Sequence, residues 1–183
     1  MSNDFSVERM SDRAEIQHRI YQFCRAVDRL EFGLLHEVYH PGAIHDHGVY
    51  KGDLDGWIKF TRRRHETIGY SSHHVGNTII EFADDDNAAV ETYFLVWQSV
   101  TAKSSPFPSD SEGTADYEVL LSGRYLDHFV RKDGRWGIMG RTAVAETVLK
   151  MTEPAPTFAA GLSHQTRDAS DPMWLLRSKV GVA

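Results

Sequence analysis

Cysteine is almost absent from this sequence, with Cys24 the only one in 183 residues. An intramolecular disulfide is therefore excluded, as is a zinc site built on several thiolates. Long hydrophobic runs are missing as well: no stretch approaches the roughly 18 apolar residues that a membrane span requires. The start, Met1 to Ser6, has neither the basic residues nor the apolar core of a secretory signal. These absences fit a reducing compartment, and a cytoplasmic protein with no membrane partner is the expectation. Basic excess is also lacking. The formal net charge is -6, which argues against nucleic acid as a partner, since that binding calls for a basic face. The run Arg62-Arg63-Arg64 departs from the acidic balance and reads as the solvated side of a helix. Neither internal repeats nor a second domain can be discerned.

What is present is globular in character. Hydrophobic residues make up 41% and charged residues 25% of the chain, ordinary values for a single domain able to bury a core. Residues 1–10 are polar and read as a flexible N-terminus. Ser11 is a plausible N-cap, with Asp12 and Glu15 in the first turn. Ile16, Ile20, Phe23, Val27 and Leu30 then recur at helical spacing. Tyr21, Cys24 and Asp28 share one flank of that stripe, so Asp28 lies beside the buried face. Gly33 breaks the helix. A shorter helix through Leu34, Leu35, Val38 and Tyr39 ends at Pro41-Gly42, and Ala43–Val49 reads as a short strand. A third helix covers about Asp53 to Ile68.

From Ser71 onward the texture becomes β. Strands are expected over Val75–Phe82, Ala88–Val100, Tyr117–Arg131 and Arg135–Val148, the last two joined by the hairpin signal Asp133-Gly134. Residues 104–115 read as a Pro/Ser/Gly-rich surface loop. Pro154 and Pro156 open a tail whose last part, Asp171 to Ser178, could form a short helix bearing Trp174, Leu175 and Leu176. Helices followed by long antiparallel strands indicate an α+β fold. The division is then a domain over 11–150 and a C-terminal tail over 151–183.

The chemistry concentrates at Ser71-Ser72-His73-His74-Val75-Gly76-Asn77. By strand alternation His73 and His74 point to opposite sides, and Asn77 falls on the side of His73. A carboxylate held against one imidazole nitrogen fixes the tautomer and makes the other nitrogen a better base. His45 and His47 sit two apart on one strand face and, with His73, form an alternative metal-ligand set. No helical His-x-x-x-His pair or cysteine supports that set.

The order and spacing of four stretches resemble the SnoaL-like branch of the nuclear transport factor 2-like superfamily. They are Ala26-Val27-Asp28, Asp46-His47-Gly48-Val49-Tyr50-Lys51-Gly52, His73-x-x-x-Asn77 and Lys132-Asp133-Gly134-Arg135-Trp136. The resemblance runs from about residue 12 to 148. That branch includes polyketide cyclases, scytalone dehydratase and hexachlorocyclohexane dehydrochlorinase. The resemblance implies a cone-like α+β barrel, a curved and mostly antiparallel sheet wrapped around three N-terminal helices. It implies His73 as a general base, Asp28 as its orienting carboxylate and Arg141 as a stabiliser of developing negative charge. A structural ion pair is the alternative role for Arg141. Tyr21, Asn77, Tyr93, Leu121, Gly123 and Tyr125 are the candidate pocket residues.

The implied activity is a lyase or isomerase that needs no cofactor and no metal, of dehydratase, dehydrohalogenase or cyclase type. The partner is an apolar cyclic or polyketide-like small molecule, and the assembly is a homodimer or homotrimer. A non-catalytic ligand-binding or β-subunit-like assembly module of the same fold is the alternative.

Overall fold

The apolar stripe of the first helix is buried along its length. In the computed structural model, which describes residues 5–101, 116–152 and 159–182, α1 spans Val7–Asp28. Ile16, Ile20, Phe23 and Val27 are all withdrawn from solvent. Burial of each contributes about 1.5–3 kcal/mol. The helix begins five residues before the expected start. Ser6, rather than Ser11, is the N-cap, accepting from the Arg9 N–H at 3.2 Å. Arg9 holds the first turn in place, reaching Asp12 at 3.3 Å and Asp85, in the turn between two later strands, at 2.7 Å. Residues 7–10 are therefore helical where a flexible segment was expected.

A one-turn 3-10 segment, Phe32–Leu34, leads into the short α2, Leu35–Val38. Strand β1 then runs Tyr39–Asp46 and β2 Lys51–Asp53. The strand expected over 43–49 thus starts earlier, at Tyr39, and ends at Asp46, and a second short strand follows after the intervening turn. Helix α3 covers Leu54–Arg64, and its N-cap Asp53 accepts from the Gly56 N–H at 2.8 Å. A 3-10 turn, His65–Thr67, continues it. The four long strands are β3 (Ile68–Phe82), β4 (Asn87–Val100), β5 (Tyr117–Lys132) and β6 (Arg135–Met151). The expected loop over 104–115 lies outside the described residues, and so do Pro154 and Pro156. The tail ends in α4, Pro172–Val180.

The strand order is β2-β1-β6-β5-β4-β3. Only the β1–β6 pairing is parallel. The β5–β6 hairpin turns on Asp133 and Gly134 with φ of 52° and 74°, the two positive values that a tight hairpin of this hand needs. The sheet is curved and does not close: β2 and β3 are its edges, so the expected barrel is an open one. Its concave face packs on all three N-terminal helices. Phe23 of α1, Leu35 of α2 and Trp57 of α3 share one core with Val90, Phe94, Tyr125, Phe129 and Ile138. The candidate site opens against that core, whose Phe23, Trp57, Phe94 and Tyr125 also form the cavity wall.

Candidate active site

Asp28 is the last residue of α1, and β3 passes directly over it. Ser71 and His73 point inward because β3 pairs with β4 in the register Ser71↔Gln98 and His73↔Val96. Asp28 then grips His73 twice. Its Oδ2 accepts the His73 backbone N–H at 2.8 Å, and its Oδ1 lies 2.6 Å from Nδ1. An ionised carboxylate only accepts, so Nδ1 carries the proton and Nε2 is the nitrogen left for proton transfer. Burial would raise the Asp28 carboxyl. Hydrogen bonds from the His73 ring and backbone, with the ring's charge and the nearby Ser71 hydroxyl, outweigh it and hold Asp28 below the usual carboxylate range.

His73 lines a cavity of about 160 Å³. A dry engineered cavity of roughly that size accepts one benzene ring. Its apolar wall includes Phe23, Val27, Trp57, Phe94, Val96, Leu121 and Tyr125. His47, Thr61, Arg64, His65 and Gln98 add polar groups. Burial, helped by the Arg141 and Arg64 charges, lowers His47 to about 3. Burial and Arg167 with Arg64 lower His65 likewise to about 3. Both rings are therefore neutral at pH 7. Among the described residues, His47 Nε2 and Arg64 Nε are buried without a hydrogen-bond partner.

Arg141, expected to meet the substrate, is not in the cavity wall. Its side chain is fully enclosed and forks onto Asp127, Nε to Oδ1 at 2.6 Å and Nη2 to Oδ2 at 2.7 Å. Its guanidinium carbon lies 4.0 Å from the Phe23 ring centre and 4.2 Å from that of Tyr125. Both of those rings line the cavity, so Arg141 stands behind the wall. The structural ion pair is the role this geometry favours. The partner was not visible beforehand because Asp127 faces Arg141 only through the β5–β6 register.

Comparison with known proteins bears on this arrangement. Residues 8–142 match the model of the SnoaL-like domain family. The chain belongs to the SnoaL-like family. No curated protein matches it. Solved structures of similar fold include the type-3 LinA hexachlorocyclohexane dehydrochlorinase of Novosphingobium barchaimii LL02. It is 18% identical with a TM-score of 0.66, over 87% of this chain and 98% of that one. A Novosphingobium aromaticivorans protein provisionally described as a scytalone dehydratase is 17% identical, TM-score 0.65, over 86% and 98%. Kfla4162 of Kribbella flavida is 18% identical, TM-score 0.64, over 76% and 94%. Identities this low establish the shared fold. That fold is the cystatin-like, nuclear transport factor 2-like one.

Within this SnoaL-like fold the expected pocket residues divide. Leu121 and Tyr125 line the cavity. Gly123 faces the same way but lies under Phe94: a Cβ there would come 2.6 Å from Phe94 Cζ and 2.3 Å from the Val144 carbonyl oxygen. Its place is to let that ring lie against the strand. Asn77 is exposed on the outer face. The register slips between Val75↔Phe94 and Thr78↔Thr92, and the extra residue reverses the alternation on which its inward placement depended. Tyr93 is outward too, because β4 buries the opposite set, Thr92, Phe94 and Val96. Tyr21 is half exposed. The flank it shares with Asp28 is closed at Asp28, two turns on, and not at Tyr21.

His45 and His47 do share a face, but they stack ring on ring at 5.8 Å, with Trp57 at 4.8 and 5.2 Å from them. Among the described residues no group of three or more His, Cys, Asp or Glu is placed to hold a metal, so the His45–His47–His73 set does not assemble. Cys24 is buried, and burial pushes its thiol up to about 12. It packs as a small apolar residue.

Sequence reading missed two residues. Arg64 was assigned with its neighbours to solvent, yet Trp57, Thr61 and Arg64 fall at i, i+4 and i+7 on the inner face of α3. That spacing was the available signal. Arg167, in the tail, donates to the carbonyls of Val27 at 3.2 Å, Asp28 at 2.9 Å and Ile68 at 2.8 Å, and meets His65 Nδ1. It ties the end of α1 to the start of β3, the two segments that carry Asp28 and His73. A cation at a helix C-terminus is favourable in general, but nothing in sequence spacing assigns a tail residue to this one.

Proposed function

We propose that this protein is a cofactor-independent lyase or isomerase acting on a small, mostly apolar cyclic molecule. The observation that carries the reading is the double grip of Asp28 on His73 at the wall of a ring-sized cavity. His73 Nε2 takes a proton from a substrate carbon, and Asp28 keeps the imidazole in the tautomer and orientation that accept it. A positioned base contributes about 10²–10⁴-fold to such a rate. Proton removal is the shared first step of dehydration, dehydrohalogenation, double-bond isomerisation and aldol-type cyclisation. The hexachlorocyclohexane dehydrochlorinases among the structural relatives support an elimination. Arg141 acts on this chemistry only as a charge behind the wall, already answered by Asp127. A β-subunit-like assembly module would have no use for a carboxylate clamped to both N–H groups of a cavity histidine.

The test is turnover of a panel of halogenated, hydroxylated and keto-substituted rings by the wild-type protein and by His73→Ala and Asp28→Asn. A substrate of the wild type should lose about 10²–10⁴-fold in kcat/KM in His73→Ala, with an unchanged circular dichroism spectrum. Full activity in that variant would end the mechanism.

A further inference from the structure

Arg64 is a cation in the cavity that the chemistry above leaves unused. Two nearby arginines have their charge answered: Arg141 by the Asp127 carboxylate, though its Nη1 is also buried without a partner among the described residues, and Arg167 by three carbonyls. For Arg64, among the described residues, no carboxylate forms an ion pair. Its single side-chain hydrogen bond is a long one, Nη2 to Gln98 Oε1 at 3.4 Å, and its Nε is buried with no acceptor. A largely desolvated guanidinium is costly to keep without a counter-charge. Its planar fork of donors matches a carboxylate in two-point contact.

The surroundings give this cation a direction. Gln98 in turn donates to Ser71 Oγ at 3.2 Å, and Ser71 lies close enough to Asp28 to help hold its carboxyl low. The polar edge of the cavity is thus one chain of contacts from Arg64 to the Asp28–His73 pair. The hydrocarbon surfaces of Phe94, Val96 and Leu121 line the same cavity. We propose that the cavity takes an anionic substrate, a ring-sized apolar body bearing a carboxylate that Arg64 receives. The proposal rests on the reading of this cavity as the active site, and it names the substrate class: small cyclic carboxylic acids rather than neutral rings.

Binding tests it independently of turnover. Benzoate and benzamide are nearly equal in shape and differ in charge, and calorimetric titration at pH 7 gives the affinity of each. Wild-type protein should prefer benzoate by about 10- to 100-fold, the usual return on a charge-assisted hydrogen bond. Arg64→Gln should abolish that preference, and Arg64→Lys should retain part of it. His73→Ala should keep the preference, so a failed catalytic reading and a failed carboxylate site give different results. Equal affinities in the wild type would overturn the proposal, and that comparison suffices even if Arg64→Gln does not fold. A preference that survives Arg64→Gln would overturn it as well. So would a loss of turnover in Arg64→Gln beside equal wild-type affinities, which would assign Arg64 to charge that develops during reaction.

Discussion

Arg141 is fully buried and Arg64 partly buried at the cavity wall, and they differ in what answers their charge. Arg141 is placed by β6 opposite Asp127 of β5, sealed between aromatic rings, and met by two short hydrogen bonds. Burial opposes its charge, but the Asp127 carboxylate outweighs burial and raises Arg141 above its ordinary value. Arg64 has the same chemistry at the end of α3 but only one long contact to a neutral amide. The strand register brings a carboxylate to the first cation, and the cavity opens in front of the second. The difference separates a charge that belongs to the architecture from one that faces a ligand.

The largest effect should come from breaking the answered pair. Asp127→Asn leaves the Arg141 guanidinium buried without its counter-charge. Removing one partner of such a pair costs about 3–5 kcal/mol, and urea denaturation should show a loss of that size. Joint replacement, Asp127→Leu with Arg141→Met, should recover most of it, because a buried ion pair and an apolar pair of similar volume are often close in stability. A loss below about 1 kcal/mol in Asp127→Asn would mean that Arg141 is not the structural cation described here.

Much of this was legible in the chain, for reasons that also set the limit. Helical and strand periodicity set Asp28 beside the buried face and parted His73 from His74, while the pairing of Asp28 with His73 came from the family resemblance. The α+β class follows from long alternating strands after three helices, whereas the open edges of the sheet do not. Asn77 was misplaced because one extra residue in β3 inverts the alternation, and no single residue type signals such a bulge. Arg64 was hidden in a run of three arginines, where composition suggests a solvated face while helical phase turns only the third inward. Asp127 and Arg167 depend on contacts between distant segments, which local pattern does not encode. Tyr93 was assigned by residue type, when the parity of Phe94 and Val96 already placed it outside.

Acid should give an intermediate effect on the same comparison, because it adds charge beside both arginines. His45 and His47 lie in the field of Arg141, and His47 and His65 in that of Arg64. Burial first, and these fields second, lower His45 to about 2 and His47 and His65 to about 3, from 6.5. Below pH 6.5 the unfolded chain therefore takes up protons that the folded protein refuses, and stability falls as pH falls. Each histidine should cost about 1 kcal/mol between pH 6.5 and 5.5. Asp28, held below its ordinary value, adds a further loss only in stronger acid, below about pH 4. Urea midpoints across pH 7.5 to 5 should trace this slope, and His47→Gln should reduce it by about one third. A flat profile would mean that these rings are protonated in the folded state.

The smallest effect should come from Arg64 itself. Arg64→Met removes an unpaired, largely desolvated guanidinium and keeps an unbranched stem against the cavity wall. The charge has no carboxylate to leave behind, and the one bond lost is the long contact to Gln98. Stability should change by less than about 0.5 kcal/mol, or rise, where Asp127→Asn loses several. A group whose removal costs the fold nothing, at a wall shared with an oriented histidine, is retained for something other than folding; sites for ligands commonly carry such locally unfavourable groups. A loss of 2 kcal/mol or more in Arg64→Met, by the same urea measurement, would place Arg64 with Arg141 among the structural cations and remove the distinction between them.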